Sequence, residues 1–226
     1  MKSINRSGDR FIAQIVLFIC IFAISSCTIV PDEEKSEEND GKIDIYFASG
    51  TFKADEYAEN IWGKRVVPFF KEKSLPLETL LPVWHKDQQA AGNEFGYREK
   101  AEGSPWNFRV KGSGNVVAVN TQSRASTIDV DLIPCDGTSD LVLQIGPVFK
   151  GSSIRDSLDF ISFTDFTNQL EFAQLSNALN KIVGKEVTST LDRDNLMGKK
   201  VSFTGAFTQL QDSDLVRVTP VSLEVE

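Results

Sequence analysis

Between Gly146 and Glu171 the chain gathers Arg155, Asp156, Asp165, Asn168, Gln169 and Glu171 among aromatic residues. A planar guanidinium and amide side chains recognise sugar hydroxyls or a carboxylate, and aromatic faces can stack on a sugar ring. The same residues also have structural uses. Arg155 and Asp156 can pair with each other or with loop backbone, and Asn168 and Gln169 can satisfy polar groups at the rim of a barrel. If Arg155 is buried and fully paired, a binding role loses its best residue. Hydrolytic chemistry has less support. A glycosidase needs two carboxylates at a fixed separation across a cleft, and nothing singles out Asp156 and Asp165 from the other acids. The one histidine, His85, is distant from Cys135, so a Cys–His nucleophile is not indicated. There is no His/Cys cluster of the zinc type. Gly112-Ser113-Gly114 leads from strand to strand and does not open a helix, so it is not a phosphate loop. The expectation is a protein with no catalytic residues, no metal and no cofactor.

Cys27 carries a different chemistry. Lys2, Arg6 and Arg10 precede a fourteen-residue run, Phe11 to Ile24, in which only Gln14 is plainly polar. A basic stretch, a short apolar stretch and small residues form the layout of a secretory signal peptide. A spanning helix needs about 20 apolar residues, so this run is too short to remain in a membrane. Ile24-Ser25-Ser26-Cys27 follows, and it resembles the lipobox of bacterial lipoproteins. The small residues admit a peptidase to the bond between Ser26 and Cys27, and the Cys27 thiolate accepts a diacylglyceryl group. Each buried acyl methylene contributes about 0.8 kcal/mol and stable anchoring takes more than one chain. The expected address is the cell envelope, membrane-anchored and facing the periplasm, with the cell surface as the alternative.

Three basic residues and one acid leave with residues 1–26, which takes the net charge from −8 to −10. Such a chain repels nucleic acid. Residues 28–42 contain six acids and two lysines, too polar to bury a core, and read as a flexible tether. About 185 residues remain, with 16 phenylalanines in the chain, enough for a single α+β domain over 43–226. Cys20 leaves with the signal and Cys27 is acylated, so Cys135 has no disulfide partner.

The elements that must position the polar block can be read from periodicity. Residues 43–47 alternate like a short strand. Ala54, Tyr57, Ala58, Ile61 and Trp62 mark one face of a helix that Pro68 ends or kinks. A second helix is expected over 77–91, with Leu77, Leu80, Leu81 and Trp84 inward and Gly92 and Asn93 at its end. From Gly103 the period becomes two. Phe108 and Val110, a turn at Lys111–Gly114, then Val117 and Val119, then Ile128, Val130 and Leu132, then Leu141, Leu143 and Ile145 read as antiparallel strands. Thr164 to Val183 reads as a helix capped by Ser162 or Thr164. Phe166, Leu170 and Ala173 lie on one face of it and Phe172, Leu175, Leu179 and Ile182 on the other, so it should lie between the sheet and the N-terminal helices. Val201–Phe207 is a strand. The apolar phase of the last strand changes at Thr219-Pro220, which predicts a bulge or bend there. The order matches an antiparallel, five-stranded OB-like β-barrel (104–226) with one inserted helix, preceded by two N-terminal helices (43–100). Gly114 and Gly205 would relieve its tight corners.

The block Gly146 to Asn180, with Tyr57, Ile61 and Trp62 before it and Gly198-Lys199, Phe203–Phe207 and Thr219-Pro220-Val221 after it, resembles the domain of unknown function 2291 family of predicted periplasmic lipoproteins. The resemblance spans nearly all of the mature chain and promises no activity. Members are often encoded beside sugar-uptake transporters, which implies at most an accessory role in solute handling. Two functions follow as expectations. One is a noncatalytic accessory lipoprotein that binds a protein partner. The other is a small-solute or carbohydrate-binding lipoprotein that uses the 146–171 region. The anchor itself is testable: metabolic labelling with a fatty acid should mark the native protein and leave Cys27→Ala unlabelled, and equal label in both would remove the envelope assignment.

Overall fold

The computed structural model describes residues 52–99, 104–210 and 213–226. The signal, the Ser26–Cys27 bond, the acidic segment and the 43–47 strand lie outside the described residues. The first helical run does not stop at Pro68. Helix α1 (Ala54–Ile61) passes through a π-turn, Trp62–Val66, into α2 (Val67–Lys73). Pro68 has no N–H for the carbonyl four residues back. The backbone meets that deficit by widening just before it, where Val67 N–H reaches the Trp62 carbonyl. After the two-residue strand β1 (Leu75–Pro76), the second expected helix divides into α3 (Leu77–Lys86) and α4 (Gln88–Phe95). Asp87 breaks it: the residue is extended, and its Oδ1 accepts from the N–H groups of Gln89 and Ala90 at 2.9 and 3.0 Å. Gly92 therefore lies inside α4 and Gly96 follows its end. Leu77, Leu80, Leu81 and Trp84 are buried as expected.

The barrel follows. Strand β2 (Asn107–Asn120) runs through the expected turn at Lys111–Gly114 without turning. Then come β3 (Thr127–Leu132), β4 (Leu141–Gln144), the short helix α5 (Ser153–Asp156), helix α6 (Gln169–Ile182), β5 (Lys200–Thr208) and β6 (Arg217–Val225). The ring closes in the order β2–β3–β4–β6–β5–β2. It is mixed and not all antiparallel: β4 and β6 run parallel at Val142↔Arg217 and Leu143↔Val218. The reason is arithmetic. Directions cannot alternate around a closed ring with an odd number of strands, so one pair must run the same way. Outside the ring, β1 also pairs parallel with β2.

Gly114 belongs to two ladders at once, opposite Val201 of β5 and Leu132 of β3. A Cβ there would stand 2.2 Å from the Asp131 carbonyl oxygen, and one at Gly205 would stand 2.4 Å from the Thr219 oxygen. Both glycines therefore occupy corners where neighbouring backbones nearly touch. A bulge lies between Val116 and Ala118, so Val116 is buried and Val117 is not. A second register shift sets Thr204 opposite Ser222 but Gly205 opposite Pro220. This is the bulge that the phase change at Thr219-Pro220 predicts.

Two apolar cores result. The barrel interior is filled by side chains such as Phe108, Val110, Ile128, Leu143 and Phe207, and α3 closes one end of it. Trp84 stands edge-on to both Phe108 and Phe207, 5.3 Å from each, and those two rings stack at 4.8 Å. The second core joins α1, α5 and α6 to the outer wall of the barrel through Ala206 and Val221. Helix α6 starts at Gln169 and not at Thr164, and it is apolar on one side only. Leu175, Leu179 and Ile182 are buried, but Leu170 is 67% exposed and Ala173 is also exposed. Gly114→Ala should destabilise the fold by about 3 kcal/mol, the upper end of overpacking costs. Gly63→Ala, where nothing lies within 4 Å of a new Cβ, should be neutral or gain up to about 1 kcal/mol. Equilibrium denaturation midpoints measure both.

Candidate functional site

The structure keeps the polar block together and gives almost every member an intramolecular partner. Arg155 is 11% exposed at its side chain. Its Nε donates to Asp156 Oδ1 at 2.8 Å, Nη2 reaches the same oxygen at 2.6 Å, and Nη1 donates to the Phe172 carbonyl at 2.9 Å. The guanidinium also lies 3.7 Å from the Phe172 ring centroid. Asp156 accepts from Ser152 Oγ with its second oxygen. The pair thus ties α5 to α6. The other members cap helical turns. Asp165 Oδ2 accepts from Ser162 N–H at 2.9 Å, and Ser162 Oγ accepts from Thr164 N–H. Asn168 is the N-cap of α6, with Oδ1 accepting from Glu171 N–H at 3.0 Å, while Glu171 reaches back to Thr167 N–H. Gln169 opens α6 on an exposed position.

A recess of about 220 Å³ adjoins this block, lined by Arg155, Asp156, Phe163 and Phe172 on one side and by Tyr97, Arg98 and Glu99 on the other. Glu99 accepts from Ser162 Oγ and from Phe163 N–H. Both acids in the recess therefore already hold donors.

The larger concavity lies elsewhere. On the outer face of the barrel, register aligns two polar rows: Lys111–Thr204–Ser222 and Ser113–Ser202–Glu224. A groove of about 710 Å³ runs over them, bounded by Val67 and Lys71 of α2, by Leu77 and Glu78 at the start of α3, and by Leu132 and Ile133. Its floor carries small hydroxyls, two of which, Thr204 Oγ1 and Ser222 Oγ, lie 2.8 Å apart. Lys71, Lys111, Glu78 and Glu224 surround it, and none of the four makes an ion pair among the described residues. Ile133 is 50% exposed on its rim. This groove is not visible as a motif. Its one sequence signal is that the solvent phase of β2, β5 and β6 carries small hydroxyl residues, Ser113, Ser202, Thr204 and Ser222, flanked by Lys111 and Glu224.

Other reactive side chains stand apart. Cys135 is exposed, with Sγ donating to the Asp131 carbonyl. Asp131 is buried and accepts from the N–H groups of Asp136 and Gly137. His85 is exposed on α3. Among the described residues no group of His, Cys, Asp or Glu is arranged to hold a metal ion, and no helix is long and apolar enough to cross a membrane.

A family model described as "Predicted periplasmic lipoprotein (DUF2291)" matches residues 17–224. Among solved structures, the crystal structure of an OB-fold protein from Thermotoga maritima is similar in fold, with a TM-score of 0.65 and 21% sequence identity over 78% of this chain and 99% of that one. No curated protein matches. The structural roles above are open to measurement. Asn168→Ala should cost about 1 kcal/mol through loss of the cap. Arg155→Ala and Asp156→Ala should each cost about 1.5–3 kcal/mol, as for hydrogen bonds to charged groups, and their double mutant should cost less than the sum.

Proposed function

Because the chain belongs to the domain of unknown function 2291 (DUF2291) family of predicted periplasmic lipoproteins, we propose that it is a noncatalytic accessory protein of the cell envelope, anchored through acylated Cys27, whose barrel binds a segment of a partner protein. The groove over β2, β5 and β6 is the observation that supports this most. Small-molecule sites enclose most of their ligand's surface. This groove is open, and the barrel interior beneath it is filled by side chains. Its hydroxyl floor can bond a peptide's main chain. Its two lysines and two glutamates, which make no ion pair among the described residues, can meet side chains of either sign, and Ile133 offers an apolar contact at the rim. Nucleic acid is a poor partner for a chain of this charge. In many OB folds the second and third barrel strands form the binding face. Here these are β3 and β4, and β3 and the loop after it carry Asp129, Asp131, Asp136 and Asp140.

The alternative of a small solute or carbohydrate at 146–171 has the 220 Å³ recess in its favour. The pairing of Arg155 with Asp156 and the Phe172 carbonyl weighs against it. An accessory role beside sugar uptake remains part of the proposal through the family resemblance alone.

In-cell photo-crosslinking from position 133 tests the reading. A discrete envelope-protein adduct is expected, reduced at least ten-fold by Lys111→Glu. The absence of any discrete adduct, together with a solute-dependent thermal shift that Arg155→Ala abolishes, would reverse the order of the two readings.

A further inference from the structure

Arg109 is a cation placed where the barrel wall meets the helical layer. It leaves β2 opposite Ala206, a fully buried member of the second core. Two aromatic rings flank it: its guanidinium carbon is 5.3 Å from the Phe69 centroid and 5.4 Å from that of Tyr97. Burial lowers its pKa, and the nearby Asp159 charge acts in the opposite direction. A guanidinium has five N–H groups, and Arg109 commits one nitrogen to protein, Nη1 to the Ser157 carbonyl at 3.0 Å. No carboxylate forms an ion pair with it among the described residues. Nε and Nη2 are not among the buried polar atoms that lack partners, so both keep some access to solvent. Arg155, by contrast, holds a carboxylate and a carbonyl at once.

A partly desolvated guanidinium beside two aromatic rings, with its Nε–Nη2 edge unbonded, is an arrangement that takes a carboxylate bidentately. Bringing an anion to it offsets the part of the desolvation cost that the Ser157 carbonyl and the Asp159 charge leave uncompensated. Burial, with the Glu99 and Asp159 charges, raises the Tyr97 pKa, so the phenol beside the fork stays protonated at neutral pH. We propose that Arg109 and Tyr97 form a binding site for a single carboxylate group, supplied either by a small free acid or by the C-terminus of a polypeptide. The Asp159 charge repels any incoming anion, and a doubly charged one more strongly, so monocarboxylates bind in preference to phosphate. The site does not depend on the groove or on its proposed partner.

The test is a titration of the full-length protein in detergent, read at the Arg109 Nε–H resonance of the native protein and, in native protein and variants alike, at the backbone amide resonances of residues 97 and 109. Sodium acetate represents the free acid. An N-acetylated alanine tripeptide, with its C-terminus free or amidated, represents the polypeptide. A saturable shift with acetate that chloride at matched ionic strength does not give, weaker with phosphate, is expected. Arg109→Lys should weaken acetate binding at least five-fold and Arg109→Gln should abolish it. A tighter response to the free-acid peptide than to acetate, absent for the amide, identifies the polypeptide source; the reverse order identifies the small acid. A non-saturating shift, one equal to that of chloride, or an undiminished acetate response in Arg109→Gln overturns the proposal. The native titration stands alone if the glutamine variant does not fold.

Discussion

Closure of the five-stranded ring is the constraint from which the rest of the structure follows. Closing it requires one long strand, β2, to pair along one stretch with β5 and along the next with β3. At the changeover the backbone of Gly114 lies against that of Asp131 with no room for a side chain. The same constraint acts at Gly205 and Thr219, where a bulge absorbs the extra residue. Once the ring is closed, its interior has one inward phase from each strand and needs an end cap, which Trp84 supplies against Phe108 and Phe207. Its outer wall divides into a part covered by helices, around Ala206 and Val221, and a part left to solvent, around Ser202 and Thr204. The groove occupies the second part, and Arg109 lies beside the first.

Much of this was legible in the chain because it is local. Inward residues such as Ile128, Val130, Leu141 and Leu143 follow from period two. The corner glycines follow from their place within strand patterns, and the bulge at Pro220 from a change of phase. The failures are also physical. Helix breaks at Asp87 and Asn168 arise because short polar side chains bond backbone N–H groups better than another helical turn would, and apolar periodicity does not register that competition. Gly112 and Gly114 carry the composition of a turn, yet at a barrel corner the same composition serves close backbone approach. The parallel pairing of β4 with β6 belongs to no single segment. It is a property of the closed ring.

The polar block shows the same division. Its existence was plain from Arg155, Asp156, Asp165, Asn168 and Gln169, but residue type does not separate binding from capping. That distinction lies in geometry: one oxygen on Ser162 N–H, one on Glu171 N–H, one guanidinium on Phe172. The groove was not legible because its floor is assembled across three strands far apart in sequence. Lys111, Thr204 and Ser222 become neighbours only through register. Arg109 was hidden for a similar reason. A single arginine in a strand reads as solvent-facing until Phe69 from a helix and Tyr97 from a loop are seen close to it.

The double membership of β2 has a consequence for motion. A strand that carries two consecutive ladders cannot release one neighbour without loosening its hold on the other at Gly114. The barrel therefore has no hinge along which it could part like a clamshell, and its amides near residues 114 and 115 should belong to the slowest-exchanging, globally cooperative set. The barrel wall is therefore a rigid surface, and adaptation on it falls to the side chains at its rim.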